Sequence, residues 1–350
     1  MNDLLEKWNS IDPLTDKEIA LVNMVMSHIP DSYTDWDNTP LYTSDQNIQN
    51  AITKQYFDLM LGSNINTDTH RIIFNKCCSD FIRELFKIYV DDQTLVISSD
   101  CEHPSVKDCL ANCKNVLILD QHKDIRKFNL NKVREKIKSY SKIFVYIISV
   151  RNDTGEITPQ SFMKALKEVI KDKQHTIVLD AVQGMFLMPC DYSMYDYVLG
   201  TGHVIVPSFN MGIAICKKED IALKDKFIYN WSLAYLQPLK IVLKRLEKLY
   251  RFRDACNEYF KDFITPTNVS QACSVPYIFY IQADHAKLNE EIDIVKYHTL
   301  IMPQDTNVGG IRLRALGFIS NPDFLDKAKQ IMNYVLTTKQ IDEDKIKEIL

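Results

Sequence analysis

Lys142-Ile-Phe-Val-Tyr-Ile-Ile-Ser-Val150 is a nearly continuous apolar run, the pattern of a strand buried on both faces. Behind it come Thr158-Pro159, a cap residue followed by proline at the first helical position. Phe162, Ala165, Leu166, Val169 and Ile170 then fall on one helical face. After Lys173 a second buried strand, Thr176-Ile-Val-Leu179, ends in Asp180. Strand–helix–strand units of this length require a parallel sheet with right-handed crossovers. The fold class is therefore α/β, a three-layer, mostly parallel sheet.

Working outward, the same alternation extends upstream. Helices are expected over 51–61, 79–89 and 105–112, and strands over 71–74, 94–98 and 115–119. Residues 1–30 carry helix-like spacing, and 31–50 are polar and turn-rich. Past Lys218 the character changes: a long helical stretch over 230–262 precedes strands near 276–282, 295–302 and 310–315. A helix over 322–335 and a short, exposed, charged helix at the end complete the pattern. The expected organisation is a helical segment 1–50 joining a small domain, a large α/β domain 51–228, and a small α+β domain 229–350.

Composition excludes several classes. Apolar residues are 46% and charged residues 25% of the 350, so the chain is neither disordered nor collagen-like. A formal charge of −4 gives no basic excess for a nucleic-acid surface. No apolar run is long enough to span a bilayer, and the opening Met-Asn-Asp-Leu-Leu-Glu-Lys-Trp lacks the layout of a secretory signal. Nine cysteines without C-x-x-C spacing read as reduced thiols, which places the protein in the cytoplasm.

Glycine is scarce, and of the 9 present five lie between Gly155 and Gly212. They surround strand ends, where a parallel sheet places its ligands. Those ends read Asn152-Asp-Thr-Gly155, Asp180-Ala-Val-Gln183 and Thr201-Gly-His203, with Glu102-His103-Pro104-Ser105 after an earlier strand. Singly, each has an ordinary explanation: a turn, a solvated carboxylate, a satisfied loop histidine.

In this order they resemble the fold-type I pyridoxal-phosphate enzymes, specifically the class-V aminotransferase and cysteine desulfurase-like group. The resemblance runs from about Ile72 to Lys218 and returns near Arg312. Val150-Arg-Asn-Asp-Thr-Gly-Glu-Ile157 is similar to the family's V-S-N-E-T-G-x-I, and Leu179-Asp-Ala-Val-Gln183 to its V-D-x-x-Q. Glu102-His103 matches its E-H before a helix, and Gly309-Gly-Ile-Arg-Leu313 its G-x-R-x segment.

The resemblance implies a role for each position. Asp180 pairs with the pyridine nitrogen of the cofactor. Gln183 donates to the ring's phenolic oxygen, assisted by Asn152, and His103 stacks on the ring. Ser79, Thr201 and His203 contact the phosphate. Arg312 takes a substrate carboxylate as a fork. The implied cofactor is pyridoxal 5'-phosphate or pyridoxamine 5'-phosphate, the ligand a small amino-acid-like molecule, and the assembly a homodimer.

Three departures qualify this. The family's S-x-H-K aligns with Thr201-Gly-His-Val204, so valine stands where the lysine is expected. It has no amine to form the internal Schiff base, and Lys217 and Lys218 lie too far along the next strand. In Asn75-Lys-Cys-Cys-Ser79, Cys77 replaces the glycine of the phosphate loop, and its Cβ narrows the backbone approach. Lys76 or Arg151 either compensates as a point charge or is solvated. The mobile cysteine of a desulfurase is also missing, since no cysteine lies between Val275 and Ile311 and Cys273 reads as core.

Two functions follow as expectations. One is a degenerate homologue, a pseudoenzyme with a binding or scaffolding role. The other is an active transferase or lyase that holds the cofactor noncovalently, with His203 as the catalytic proton shuttle.

Overall fold

The computed structural model describes residues 46–120, 130–205, 211–223, 229–244, 246–261, 274–282, 292–294, 299–302, 310–315, 324–337 and 342–349. The helical expectation for residues 1–30, most of the connection 31–50, Cys273 and Gly309 lie outside them. Two compact units emerge, one within Val25–Arg151 and Thr158–Lys240, the other from Asn152–Ile157 and Ile241–Leu350.

The first unit is built on a seven-stranded sheet. In chain order its elements are α1 (Gln46–Leu59), β1 (His70–Asn75), α2 (Cys78–Tyr89), β2 (Thr94–Ser99), α3 (Pro104–Ala111) and β3 (Val116–Leu119). Then come α4 (Asn131–Lys136), β4 (Lys142–Ile148), α5 (Gln160–Ile170), β5 (Gln174–Asp180), β6 (Tyr197–Thr201) and β7 (Gly212–Lys217). The strand order is β1-β7-β6-β5-β4-β2-β3. All neighbours are parallel except β7, which runs against both β1 and β6. The α/β, mostly parallel architecture is as the sequence implies.

Every residue of β4 after Lys142 is buried, which explains its apolar run. On one face α2 packs Phe81, Ile82, Leu85 and Phe86 against Val96, Phe144, Tyr146, Val178 and Leu199. Those helix positions are spaced i, i+1, i+4, i+5, a stripe of one face. The start of α5 differs from expectation. Pro159 is the N-cap, and the Thr158 hydroxyl donates 2.5 Å to the Ile148 carbonyl instead of capping the helix. Thr158 thereby ties the helix entry back to the end of β4. Gly200 is a packing glycine inside β6, where a Cβ would lie 2.3 Å from the Met185 sulfur.

The helix α6 (Tyr229–Leu243) contributes its residues through Lys240 to this unit. Tyr56 of α1 donates 2.7 Å to the Ser232 carbonyl of α6. The second unit continues with α7 (Leu246–Tyr259), β8 (Ile278–Gln282), β9 (Ile292–Ile294), β10 (Thr299–Met302), β11 (Gly310–Arg314), α8 (Phe324–Thr337) and α9 (Glu343–Ile349). Its strands form an antiparallel sheet in the order β8-β11-β10-β9. The terminal helix is not wholly exposed, because Ile346 is buried. The segment Asn152–Ile157 docks here: Val275 N–H donates 2.8 Å to the Gly155 carbonyl, and Glu156 bridges Ser274. Gly155 has φ +73, and a Cβ there would meet the Ile278 Cβ at 2.9 Å, so glycine is required on both counts.

Candidate functional site

Strand direction assembles the candidate residues. Because β1, β2, β4, β5 and β6 run the same way, their carboxyl ends share one edge, and antiparallel β7 begins there. In register, Gly212 pairs with both Asn75 and Thr201. The loop from β1 delivers Ser79 at the start of α2, and the loop from β2 delivers Glu102 and His103 at the start of α3. The ends of β5 and β6 deliver Asp180, Gln183, Thr201, His203 and Val204. In the first unit, Ser79, His103, Asp180, Gln183, Thr201 and His203 thus sit along one edge.

Asp180 is the centre of the polar network. It is 2% exposed, and its two oxygens accept from the Val182 N–H at 3.0 Å and the Tyr146 hydroxyl at 2.9 Å. Burial raises its pKa; those two donors and the nearby His103 offset part of the rise. Glu102 is equally buried. Its Oε1 accepts from the Ser99 hydroxyl at 2.6 Å and the Ile148 N–H at 3.2 Å, which ties the ends of β2 and β4 together. Its Oε2 is buried without a hydrogen-bond partner among the described residues. Burial pushes this carboxyl up to about 8, and the negative charge of Asp180 adds to the rise. Burial thus favours the protonated form of Glu102.

His103 is the N-cap of α3. Its Nδ1 accepts 3.2 Å from the Ser105 N–H, with Pro104 at the first helical position. In that bond the ring nitrogen is the acceptor for a backbone amide at the helix start. Ser105 also meets Ser79 through their hydroxyls at 2.9 Å, which links the starts of α3 and α2.

The phosphate-loop departure has a simple geometry. Cys77 is extended at φ −155, so its backbone does not require glycine. Glycine is required opposite: a Cβ on Gly212 would lie 2.5 Å from the Cys77 carbonyl carbon and oxygen. Burial raises the Cys77 thiol pKa, with the Asp80 and Ser79 backbone amides partly opposing it. Arg151 is 3% exposed, so the solvated alternative for it is overturned, while Lys76 is half-buried.

At the end of β6 the Thr201 hydroxyl meets the His203 Nδ1 at 2.8 Å, and the His203 ring is exposed. Ile205 N–H donates 3.1 Å to the Gly202 carbonyl, closing a turn that buries Val204 at 2% exposure. Tyr235 from α6 supports the turn by donating 3.2 Å to the Gly202 carbonyl. Gln183 is buried in the turn after β5.

Asn152 and Arg312 belong to the second unit. Arg312 on β11 is buried, and its Nη1 donates 2.8 Å to both the backbone carbonyl and the side-chain oxygen of Asn152. Arg314 donates to that same side-chain oxygen. The Asn152 carbonyl group is therefore a clamp on two arginines, a role that its turn-forming sequence did not disclose. Sequence reading also missed Tyr146 and the carboxylate of Glu102. The available signal was a tyrosine inside a buried strand, whose hydroxyl needs a partner.

Comparisons with known proteins bear on the family and the fold. The family described as aminotransferase class I and II matches residues 5–206. No curated protein sequence matches the chain. Among solved structures, the chain is similar to a PLP-bound C-S lyase from Staphylococcus hominis, with TM-score 0.64 at 11% identity over 93% of this chain and 89% of that one. A NifS-like protein from Rickettsia africae gives 0.60 at 13% identity, over 91% of this chain and 98% of that one. The YbdL protein of Escherichia coli, described with a methionine aminotransferase function, gives 0.61 at 11% identity over 89% and 88%. Likeness at these identities is likeness of fold.

Proposed function

The chain belongs to the aminotransferase class I and II family, and from that premise we propose a non-classical member that binds pyridoxal or pyridoxamine phosphate without a covalent bond. Its role is binding or scaffolding, not ordinary transamination. One observation carries the reading. At neighbouring strand ends, Asp180 is buried with two neutral donors, while position 204 offers a buried isopropyl group.

The residues fit the ring end of such a ligand. A pyridine N–H gives Asp180 the cationic partner that would hold it ionised despite burial. When bound, the cofactor supplies an electron-withdrawing ring. His103 would cover that ring, and Gln183 would donate to its phenolic oxygen. The first amides of α2 and the hydroxyls of Ser79 and Thr201 would receive the phosphate. Val204 does not fit covalent attachment, since a lysine amine is what the bond needs. The motif pattern at 150–157 and 179–183 supports the class-V and cysteine desulfurase-like branch, with a homodimer as its assembly. The lack of a cysteine between Val275 and Ile311 speaks against desulfuration itself.

The test uses the purified full chain. It is expected to be colourless and to give no borohydride-fixed adduct on lysine. Its melting temperature should rise saturably with pyridoxal or pyridoxamine phosphate. No rise with either would sink the reading, and a lysine adduct would overturn its noncovalent part. The second reading, an active enzyme, is favoured by the exposed His203 ring oriented by Thr201. It requires the chain to exchange the α-proton of amino acids in deuterated water faster than free cofactor does, with that excess lost in His203→Gln.

A further inference from the structure

We propose that Tyr146 is the positioning residue of Asp180: its hydroxyl holds the carboxylate at the end of β5 in the charged form, turned to receive a cationic N–H partner. That this partner is a protonated ring nitrogen rests on the reading above; the hold itself comes from the packing of β4 on β5. In register Tyr146 pairs with Val178 and Ile148 with Asp180, so residues 146, 178 and 180 share one face of the sheet. Along that face the phenol reaches Oδ2 of Asp180 at 2.9 Å, while Oδ1 accepts from the Val182 N–H at 3.0 Å.

A buried phenol needs an acceptor, and a backbone carbonyl would serve it without burying a charge, as the Tyr146 carbonyl serves the Ser98 hydroxyl at 2.9 Å. A buried carboxylate is harder to serve, because its charge is costly until donors surround it. Among the described residues Tyr146 is the one side chain that donates to Asp180. It is fixed for that task, fully buried with its ring 5.9 Å from that of Phe86. Burial and the Asp180 charge raise its own pKa well above that of a free phenol, so it stays a donor. The other titratable groups facing Asp180 are Cys78 from α2, and Glu102 and His103 from the turn between β2 and α3. Burial keeps the Cys78 thiol uncharged, and Glu102 adds negative charge as it ionises. The Tyr146 hydroxyl and the Val182 amide favour the charged carboxylate by direct contact, and each of its oxygens keeps a lone pair for an incoming N–H.

Tyr146→Phe keeps the ring and removes only the donor, and circular dichroism confirms that the variant folds. In the ligand-free full chain, the carboxyl carbon resonance of Asp180, identified by its absence from Asp180→Asn, should titrate about one pH unit higher in Tyr146→Phe than in the native chain. Adding Glu102→Gln to both chains should leave that difference in place. Binding of pyridoxamine phosphate, followed by calorimetry, should then be about tenfold weaker in Tyr146→Phe at pH values below both titration points. The analogue with carbon in place of the ring nitrogen should bind the two chains equally. An unmoved titration overturns the proposal, as does a preference for pyridoxamine phosphate over the carbon analogue that survives intact in Tyr146→Phe. A titration moved by Tyr146→Phe in a chain that binds neither ligand keeps the hold on Asp180 and sinks the ring reading. Saturable binding of pyridoxamine phosphate with an unmoved titration does the reverse.

Discussion

The carboxyl ends of β5 and β6 are neighbours in one sheet, yet their chemistry has gone in opposite directions. At β5, Asp180 is buried among polar partners, with the Tyr146 hydroxyl, the Val182 amide and the second buried acid Glu102 close by. At β6, the turn after Thr201 buries Val204 and Ile205 and leaves only His203 outside. Buried charge without a purpose is expensive, because desolvation is repaid only by well-placed partners. The β5 end therefore carries a costly buried group, whereas the turn after β6 is packed with apolar side chains. Under the proposed reading the difference has a reason: the β5 end would grip the ring, and the β6 end would form no covalent bond to it.

The sharpest way to break this contrast is to remove the acid. Asp180→Ala strands two buried donors, at about 1–3 kcal/mol each, so a loss of about 3–4 kcal/mol is expected in urea unfolding. Asp180→Asn keeps an acceptor for Val182 and removes the buried charge, so its stability should stay within about 1 kcal/mol of the native chain. Both should abolish the shift with pyridoxal phosphate. If Asp180→Asn keeps that shift, the β5 end is structural and nothing more.

Glu102 sharpens the contrast through pH. Its folded pKa, about 8, stands above the ordinary 4.5, so between these values the folded chain holds a proton that the unfolded chain releases. Stability should therefore be greatest at the acid end of that window, fall as pH rises to 8, and level off above. Asp180, raised in the same direction, adds to the slope from its own lower starting point. A drop of about 2–3 kcal/mol from pH 5 to 8 is expected, most of it absent in Glu102→Gln. Melting curves at pH 5, 6.5 and 8 measure it, and a flat native profile would mean that Glu102 is ionised and paired.

The contact between β7 and the start of α2 gives a smaller effect. Gly212→Ala forces β7 away from the start of α2, because the new methyl meets backbone at 2.5 Å and not a yielding side chain. About 2 kcal/mol is expected. Gly184→Ala should cost less, since its nearest neighbour is the Met188 side chain at 3.1 Å.

Much of this edge could be read from the chain because β-strand burial and glycine placement leave local marks. The run from Ile143 to Val150 announced the central strand, and Asp180 at the end of the next one was visible as an acid after three apolar residues. What could not be read was anything set by pairing across the sheet. The Tyr146–Asp180 bond and the tie from Glu102 to Ile148 join residues 34 and 46 positions apart, and antiparallel β7 pairs with β1 across 137 to 147 positions. Thr158 misled for a related reason: cap and back-bond draw on the same hydroxyl, and the nearby Ile148 carbonyl took it. Arg314 was missed because an alternating arginine on a strand looks like a solvated edge until Asn152 is seen to gather it with Arg312.

The mildest change asks whether the two strand ends still form one site. Val204→Lys puts an amine at the turn after β6. Burying its charge costs stability, but His203 beside it is exposed and the lysine stem can reach outward, so about 1–2 kcal/mol is expected. If the β5 end has kept its ring-binding geometry, the variant should turn yellow with pyridoxal phosphate and give a borohydride-fixed adduct on residue 204. The native chain should do neither. A colourless Val204→Lys variant that folds and still binds pyridoxamine phosphate would show that the turn at β6 does not bring residue 204 to the ligand. The contrast between the strand ends would then be one of backbone, not of a single side chain.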